Sequence, residues 1–416
     1  MIGRILAAAA LAATVAALTT GSTLLLRSAY VLWGVVLIAW AISALSLRSL
    51  DVVRETRSKR GEVGGYAEEH LALRNRSWLP KLWLELHDEG MLPDHRVGRV
   101  VSSLGPGQSR GWTVRTLCRR RGSFTLGPMA LVGGDPLGLF ESRRELPATA
   151  TFVVYPLTLP LRGVDLPSGY LSGGQVIRRR AEFTTTNVRG VRPYEPGEAL
   201  SRVHWPTTAR RGQLFSKEFE LDPIADVWLL LDMERAVHTG ELEADEDGAT
   251  PVVPWIETPE LTLDPCTEEY AVTIAASLGR HFLDAGKSVG LVTYGQRRVV
   301  VRPDRGERQL HKLLETLAVV RAAGREPLAQ VLSTESTELT RQTTLVVITP
   351  TTSLRWIEGL RALGQRGVRA WVVLLDASTF GTAAPATPVI AALGAYSIPA
   401  RVVHLGDDIA SALQRA

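Results

Sequence analysis

The chain has 416 residues, 45% hydrophobic and 22% charged, a balance that excludes both a disordered polymer and a wholly membrane-buried bundle. Its length suggests two or three domains. Two cysteines, Cys118 and Cys266, exclude a disulfide scaffold and a four-cysteine zinc ribbon. The net charge of +4 conceals an asymmetry. Arg48–Glu220 carries 27 Lys/Arg against 18 Asp/Glu, whereas Leu221–Ala416 carries 18 against 25. A basic half followed by an acidic half points to separate folded units.

Two uncharged stretches open the chain, Ile5–Leu26 and Ala29–Leu47, each long enough to cross a bilayer as a helix. Only Arg27 and Ser28 separate them, so residues 1–48 are expected to form a transmembrane hairpin with its turn there. Arg4 before the pair, and Arg48, Arg54, Arg57, Lys59 and Arg60 after it, place both ends in the cytoplasm by the positive-inside bias. The expected location is therefore the cell membrane, multi-pass, with cytoplasmic soluble domains. A cleaved signal peptide is the alternative, because Ala16, Ala17 and Thr20 are small enough for processing.

Residues 49–60 read as a basic linker. From 61 to 156, short alternating segments punctuated by Asn75, Pro80 and Gly105-Pro106-Gly107 predict a small β-sandwich. Residues 157–222 look irregular. From 223 to 416 the pattern changes to that of an α/β doubly wound domain. The runs Val227–Leu231, Val289–Tyr294, Thr344–Ile348 and Val368–Leu375 suit central parallel strands. Amphipathic stretches at Glu268–Leu283, Glu307–Val320, Ser353–Gly364 and Pro388–Leu393 suit the helices between them. The acidic run Glu241–Asp247 reads as a solvated loop.

The most unusual cluster lies at Arg192-Pro193-Tyr194-Glu195-Pro196-Gly197-Glu198, then Arg202-Val203-His204-Trp205 and Ala209-Arg210-Arg211. Pro196-Gly197 suits a tight turn. Arg202 and Arg210 suit forked pairs with nearby carboxylates, and Trp205 offers a face for a guanidinium. Such a network serves either as a clamp between domains or as a site for an anion or an acidic peptide. No phosphate-binding loop and no paired histidines on a helix are present, which argues against nucleotide hydrolysis and a zinc hydrolase. The triplets Arg119–Arg121 and Arg178–Arg180 lack interleaved aromatics, so contact with lipid headgroups or with the acidic half of the chain is expected rather than with nucleic acid.

The spacing R-x-Y-x-x-G-[D/E]-x-x-x-R-x-x-W-x-x-x-A-R resembles the signature of the "domain of unknown function 58" family. The resemblance rests on Arg192, Tyr194, Gly197, Glu198, Arg202, Trp205 and Arg210. Arg121-Gly122-Ser123-Phe124-Thr125-Leu126-Gly127-Pro128, Asp135-Pro136-Leu137-Gly138-Leu139-Phe140 and Val154-Tyr155-Pro156 are similar to further motifs of that family. The resemblance implies a C-terminal domain like that of von Willebrand factor A. It also implies a MoxR-type AAA+ ATPase as partner, acting with this chain on an unknown client protein.

In many such domains a D-x-S-x-S loop holds Mg²⁺ with help from a Thr and an Asp. Here the loop reads Asp232-Met233-Glu234-Arg235-Ala236, leaving Asp232 and Glu234 as residual candidates. No cofactor is therefore expected. Glu198 stands where the family usually has Asp, and Pro206 replaces the usual Lys. The expectation is a non-enzymatic, membrane-anchored scaffold. The alternatives are a Mg²⁺-dependent protein-binding module and an enzyme using Glu198, Arg202 and His204.

Overall fold

The computed structural model describes residues 2–95, 97–164, 188–194, 203–219, 226–241, 263–339 and 343–414. The chain forms two compact units, Met1–Leu157 belonging to the first and most of the remainder to the second.

The first unit begins with helices α1 (Ile2–Thr20) and α2 (Thr23–Ser46). Both are long and apolar enough to cross a membrane, and most of their surface is not covered by protein. The turn between them falls at Gly21-Ser22 and not at Arg27-Ser28. Gly21 has φ +65°, a left-handed conformation that stops a helix, whereas one arginine in a helical run does not. Trp33 Nε1 donates to Thr14 Oγ1 across the pair at 3.2 Å.

Ten strands follow: β1 (Leu50–Thr56), β2 (Arg60–Glu62), β3 (Tyr66–Asn75), β4 (Lys81–Asp88), β5 (Arg99–Leu104), β6 (Ser109–Leu117), β7 (Gly122–Leu126), β8 (Met129–Gly134), β9 (Glu141–Leu146) and β10 (Ala150–Tyr155). The antiparallel sheets β1-β3-β6 and β5-β4-β8-β9 face one another. Leu71, Leu73 and Trp112 from one meet Leu84, Leu86 and Leu131 from the other. A third small sheet, β2-β10-β7, covers its own cluster around Phe152 and Val154.

The expected sandwich is present, and strict alternation of burial along β3 is its signature. Residues 49–60, however, are not a linker. Leu50–Thr56 pairs with β3 along its whole length, and Leu50 joins the core. The arginines that suggested a solvated linker include Arg54, which points inward.

The second unit contains β11 (Val188–Pro193), α3 (Trp205–Arg211) and β12 (Phe215–Phe219), then the α/β domain. That domain runs β13 (Val227–Leu231), α4 (Thr267–Asp284), β14 (Val289–Tyr294), β15 (Arg298–Asp304), α5 (Glu307–Val319), α6 (Leu328–Glu335), β16 (Thr344–Thr349), α7 (Arg355–Gln365), β17 (Arg369–Leu375), α8 (Ala377–Phe380), α9 (Thr387–Ala395), β18 (Ala400–Val403) and α10 (Ile409–Gln414). Its sheet order is β15-β14-β13-β16-β17-β18, parallel except for the antiparallel edge strand β15. All five residues of β13 are buried, as a central strand covered on both faces requires. Trp356, Leu360, Val347 and Val372 anchor the cluster on one face.

Candidate functional site

The segment expected to be irregular is ordered where it is described. β11 and β12 form an antiparallel ladder in which Arg192 lies opposite Ser216. Tyr194 N donates to Leu214 O (2.9 Å), and His204 N donates to Phe215 O (2.8 Å). The seven-residue helix α3 sits between these strands. His204 caps it, Nδ1 accepting from Thr207 N at 3.3 Å. Pro206 fits the first turn, where a missing N–H costs nothing, and Gly212 at φ +66° ends the helix.

Trp205 opens α3 and is 61% exposed. Arg210 and Arg211 close it, both exposed. The guanidinium stacking expected on Trp205 occurs elsewhere, with Arg211 lying 5.4 Å over the Phe215 ring. Arg192, Tyr194, Trp205 and Arg210 thus belong to one strand–helix–strand unit. Gly197, Glu198 and Arg202 lie outside the described residues, as does Glu195.

A second set of candidates stands at the carboxyl edge of the six-stranded sheet. Asp232 follows β13 and is 5% exposed. Thr349, the last residue of β16, donates its hydroxyl to Asp232 Oδ2 at 2.6 Å, while Glu234 N donates to Oδ1 at 3.1 Å. Burial pushes the Asp232 carboxyl up to about 6, against the pull of those two hydrogen bonds. His238 Nε2 donates to Asp232 O at 2.9 Å. Glu234 pairs its backbone with Gly324, and burial raises its carboxyl too. Among the described residues no third His, Cys, Asp or Glu joins Asp232 and Glu234 in a metal-ligand group. The site therefore presents one enclosed carboxylate, Asp232, bonded to the Thr349 hydroxyl, with the half-buried Glu234 beside it.

The third cluster was not foreseen. Inside the β-sandwich, Glu69, Asp88 and His95 bring ligand atoms within 4.8 Å of one another. Arg54 from β1 occupies the ground between them. Its Nε and Nη2 fork onto Glu69 at 3.1 and 2.7 Å, and Nη2 also reaches Asp88 Oδ2 at 3.1 Å. His95 Nε2 donates to Glu69 Oε2 at 3.0 Å, and its Nδ1 lies 2.8 Å from Thr116 Oγ1.

Burial opposes ionisation of Glu69. Hydrogen bonds from His95 and Arg54 nevertheless bring it down to about 2. The guanidinium bridges the two carboxylates, so the cluster is a buried, hydrogen-bonded charge network. No sequence spacing announces it, because its members come from β1, β3, β4 and the loop beyond.

Residues 190–248 match the family described as "Protein of unknown function DUF58". An uncharacterized protein, YeaD, of Bacillus subtilis (strain 168) is 24% identical over 325 residues, 76% of this chain and 73% of that protein. Among solved structures, the CARDB domain of a Pyrococcus furiosus protein is 16% identical, covering 25% of this chain and 91% of that one at TM-score 0.20. The pilus adhesin SpaC of Lactobacillus rhamnosus GG is 10% identical, covering 47% of this chain and 30% of that one at TM-score 0.32. Likeness this slight fixes neither fold nor function.

Proposed function

We propose that this chain, which belongs to the DUF58 family, is a membrane-anchored, non-enzymatic adaptor that engages other proteins through its signature segment. The observation that carries this reading is the exposure of Trp205. A large aromatic on a short capped helix that also carries exposed Arg210 and Arg211 has the composition of a protein-binding hot spot. His204, a candidate base, is used as a helix cap, which favours binding over catalysis.

In this reading α1 and α2 form the anchor. Gly3 at the start of α1 lies against Leu139 and Phe140, and Ser43 near the end of α2 meets Ser142, so both helix ends reach the same end of one sheet. That arrangement supports a double crossing with the folded units on one side, the cytoplasmic side by the arginine bias. The strand order, with one antiparallel edge and Asp232 after the first strand, supports a von Willebrand factor A-like domain. Thr349 on the Asp232 carboxylate supports one that works without Mg²⁺.

The partner implied by the family resemblance is a MoxR-type AAA+ ATPase, with an unidentified client beyond it. Purification of the full chain from its own membranes in mild detergent, with and without ATP, tests this. A stoichiometric ATPase retained in a nucleotide-dependent manner is the expected result. Trp205→Ala should leave the melting temperature unchanged and weaken that retention at least about tenfold, the loss typical of an aromatic anchor. Full retention by the variant removes the signature segment from the interface. A solitary protein under both conditions defeats the partnership.

A further inference from the structure

The carboxyl edge of the six-stranded sheet carries a feature separate from the signature segment. A cleft of about 650 Å³ opens between the β14–β15 turn and the segment joining α5 to α6. Its frame is rigid. Gly324 N donates to Met233 O and Arg235 N donates to Gly324 O, both at 2.9 Å. A Cβ at Gly324 would stand 2.0 Å from Tyr294 O, so only glycine lets this segment lie so close to β14. On the opposite wall, Arg298 forks onto buried Glu335 at 2.7 and 3.0 Å, and Tyr294 donates its hydroxyl to the same carboxylate.

Arg298 is thereby neutralised, but its neighbour Arg297 is not. Arg297 and Arg325 are exposed in the cleft and make no ion pair with any described residue. Two cations thus face one concavity from two walls. The cleft lies at the carboxyl end of β14, where that strand turns into β15. Glu326 shares the lining and offers an acceptor for peptide N–H groups. Gln330 supplies an amide suited to a peptide backbone, and Tyr294 with Val331 supplies apolar surface.

We propose that this cleft binds an extended acidic peptide of a partner protein, with Arg297 and Arg325 taking its carboxylates. The site stands independently of Trp205 and of any ATPase. Its recognition is that of a guanidinium fork for a carboxylate, a geometry lysine does not reproduce.

The test is fluorescence anisotropy on the full chain in detergent, at about 150 mM salt so that bulk attraction is screened. The probe is a fluorescein-labelled peptide of alternating Glu and Leu, compared with the same peptide carrying Gln for Glu. The expected result is saturable binding of the acidic peptide alone. Arg297→Glu and Arg325→Glu should each weaken it at least about tenfold. Arg366→Glu, after α7 at the opposite edge of the sheet, should change it less than about twofold. Because both cleft arginines are exposed, the variants should keep the parent melting temperature.

No binding by the parent chain, equal binding of the Gln peptide, or equal loss in Arg366→Glu overturns the proposal. So does complete displacement by about 1 mM inorganic phosphate, a general anion that a carboxylate-selective cleft should not prefer.

Discussion

Replacement of Arg54 by methionine should destabilise the β-sandwich by about 3–5 kcal/mol, the cost of leaving buried carboxylates without their cation. The side chains of Glu69 and Asp88 are 0% and 1% exposed, so water cannot replace the guanidinium without opening the fold. The loss should depend on pH, with a definite sign. Glu69 is held at about 2 in the folded chain against an ordinary 4.5. Its contribution is therefore complete above 4.5 and is lost as pH falls towards 2. Without Arg54 only His95 still favours the Glu69 carboxylate, so part of that contribution is missing at pH 7, and the gap between parent and variant should narrow below pH 4.5 as Glu69 of the variant takes up a proton. Guanidinium denaturation of the full chain in detergent at pH 7 and pH 4 measures both quantities. A difference under about 1 kcal/mol at pH 7 would show that the network is solvated and not buried.

The opposite effect is expected at Asp232. Its folded value of about 6 lies above the ordinary 3.8, so proton uptake favours the folded state. Stability should rise as pH falls from above 6 towards 3.8. At pH 7 the ionised carboxylate costs about 3 kcal/mol, from 1.36 kcal/mol per pH unit across that interval. Asp232→Asn keeps the shape while removing the charge: its amide oxygen can accept from Glu234 N, and its NH2 must then donate to the Thr349 hydroxyl, which turns from donor to acceptor. It should stabilise the chain by up to that amount at pH 7 and by little at pH 4, read as melting temperature against pH. A gap that does not change with pH would mean that another group titrates.

The central sheet was legible because Val227–Leu231, Val289–Tyr294 and Thr344–Ile348 are unbroken apolar runs, the only pattern that suits strands covered on both faces. Its antiparallel edge, β15, was missed. Arg298, Arg302 and Asp304 give that strand a polar look, which is what an edge exposed to solvent tolerates. Helix α6 escaped because eight residues give too short a window for a 3.6-residue period.

The error at residues 49–60 had a different origin. Charge was read as exposure, but Arg54 meets Glu69 and Asp88, partners 15 and 34 positions away that no local window contains. The signature was plain as spacing, while the exposure of Trp205 depends on the ladder between β11 and β12. Thr349 was visible as a hydroxyl after β16. That it closes on Asp232 follows from the register pairing Leu231 with Ile348.

The junction between α2 and β1 has mechanical consequences. Only Leu47, Arg48 and Ser49 separate them, and Leu47 is already part of the sandwich core. Lys81 Nζ donates to Leu45 O at 2.6 Å, and Ser142 Oγ donates to Ser43 O at 2.9 Å. With no slack in the chain and a latch on either side, the joint has no hinge. A tilt of the helical pair turns the sandwich through the same angle, as a mast turns its step. Cutting the chain there would strip the core of Leu47 and leave the buried Lys81 ammonium without its acceptor, so the helices act as the keel of the sandwich.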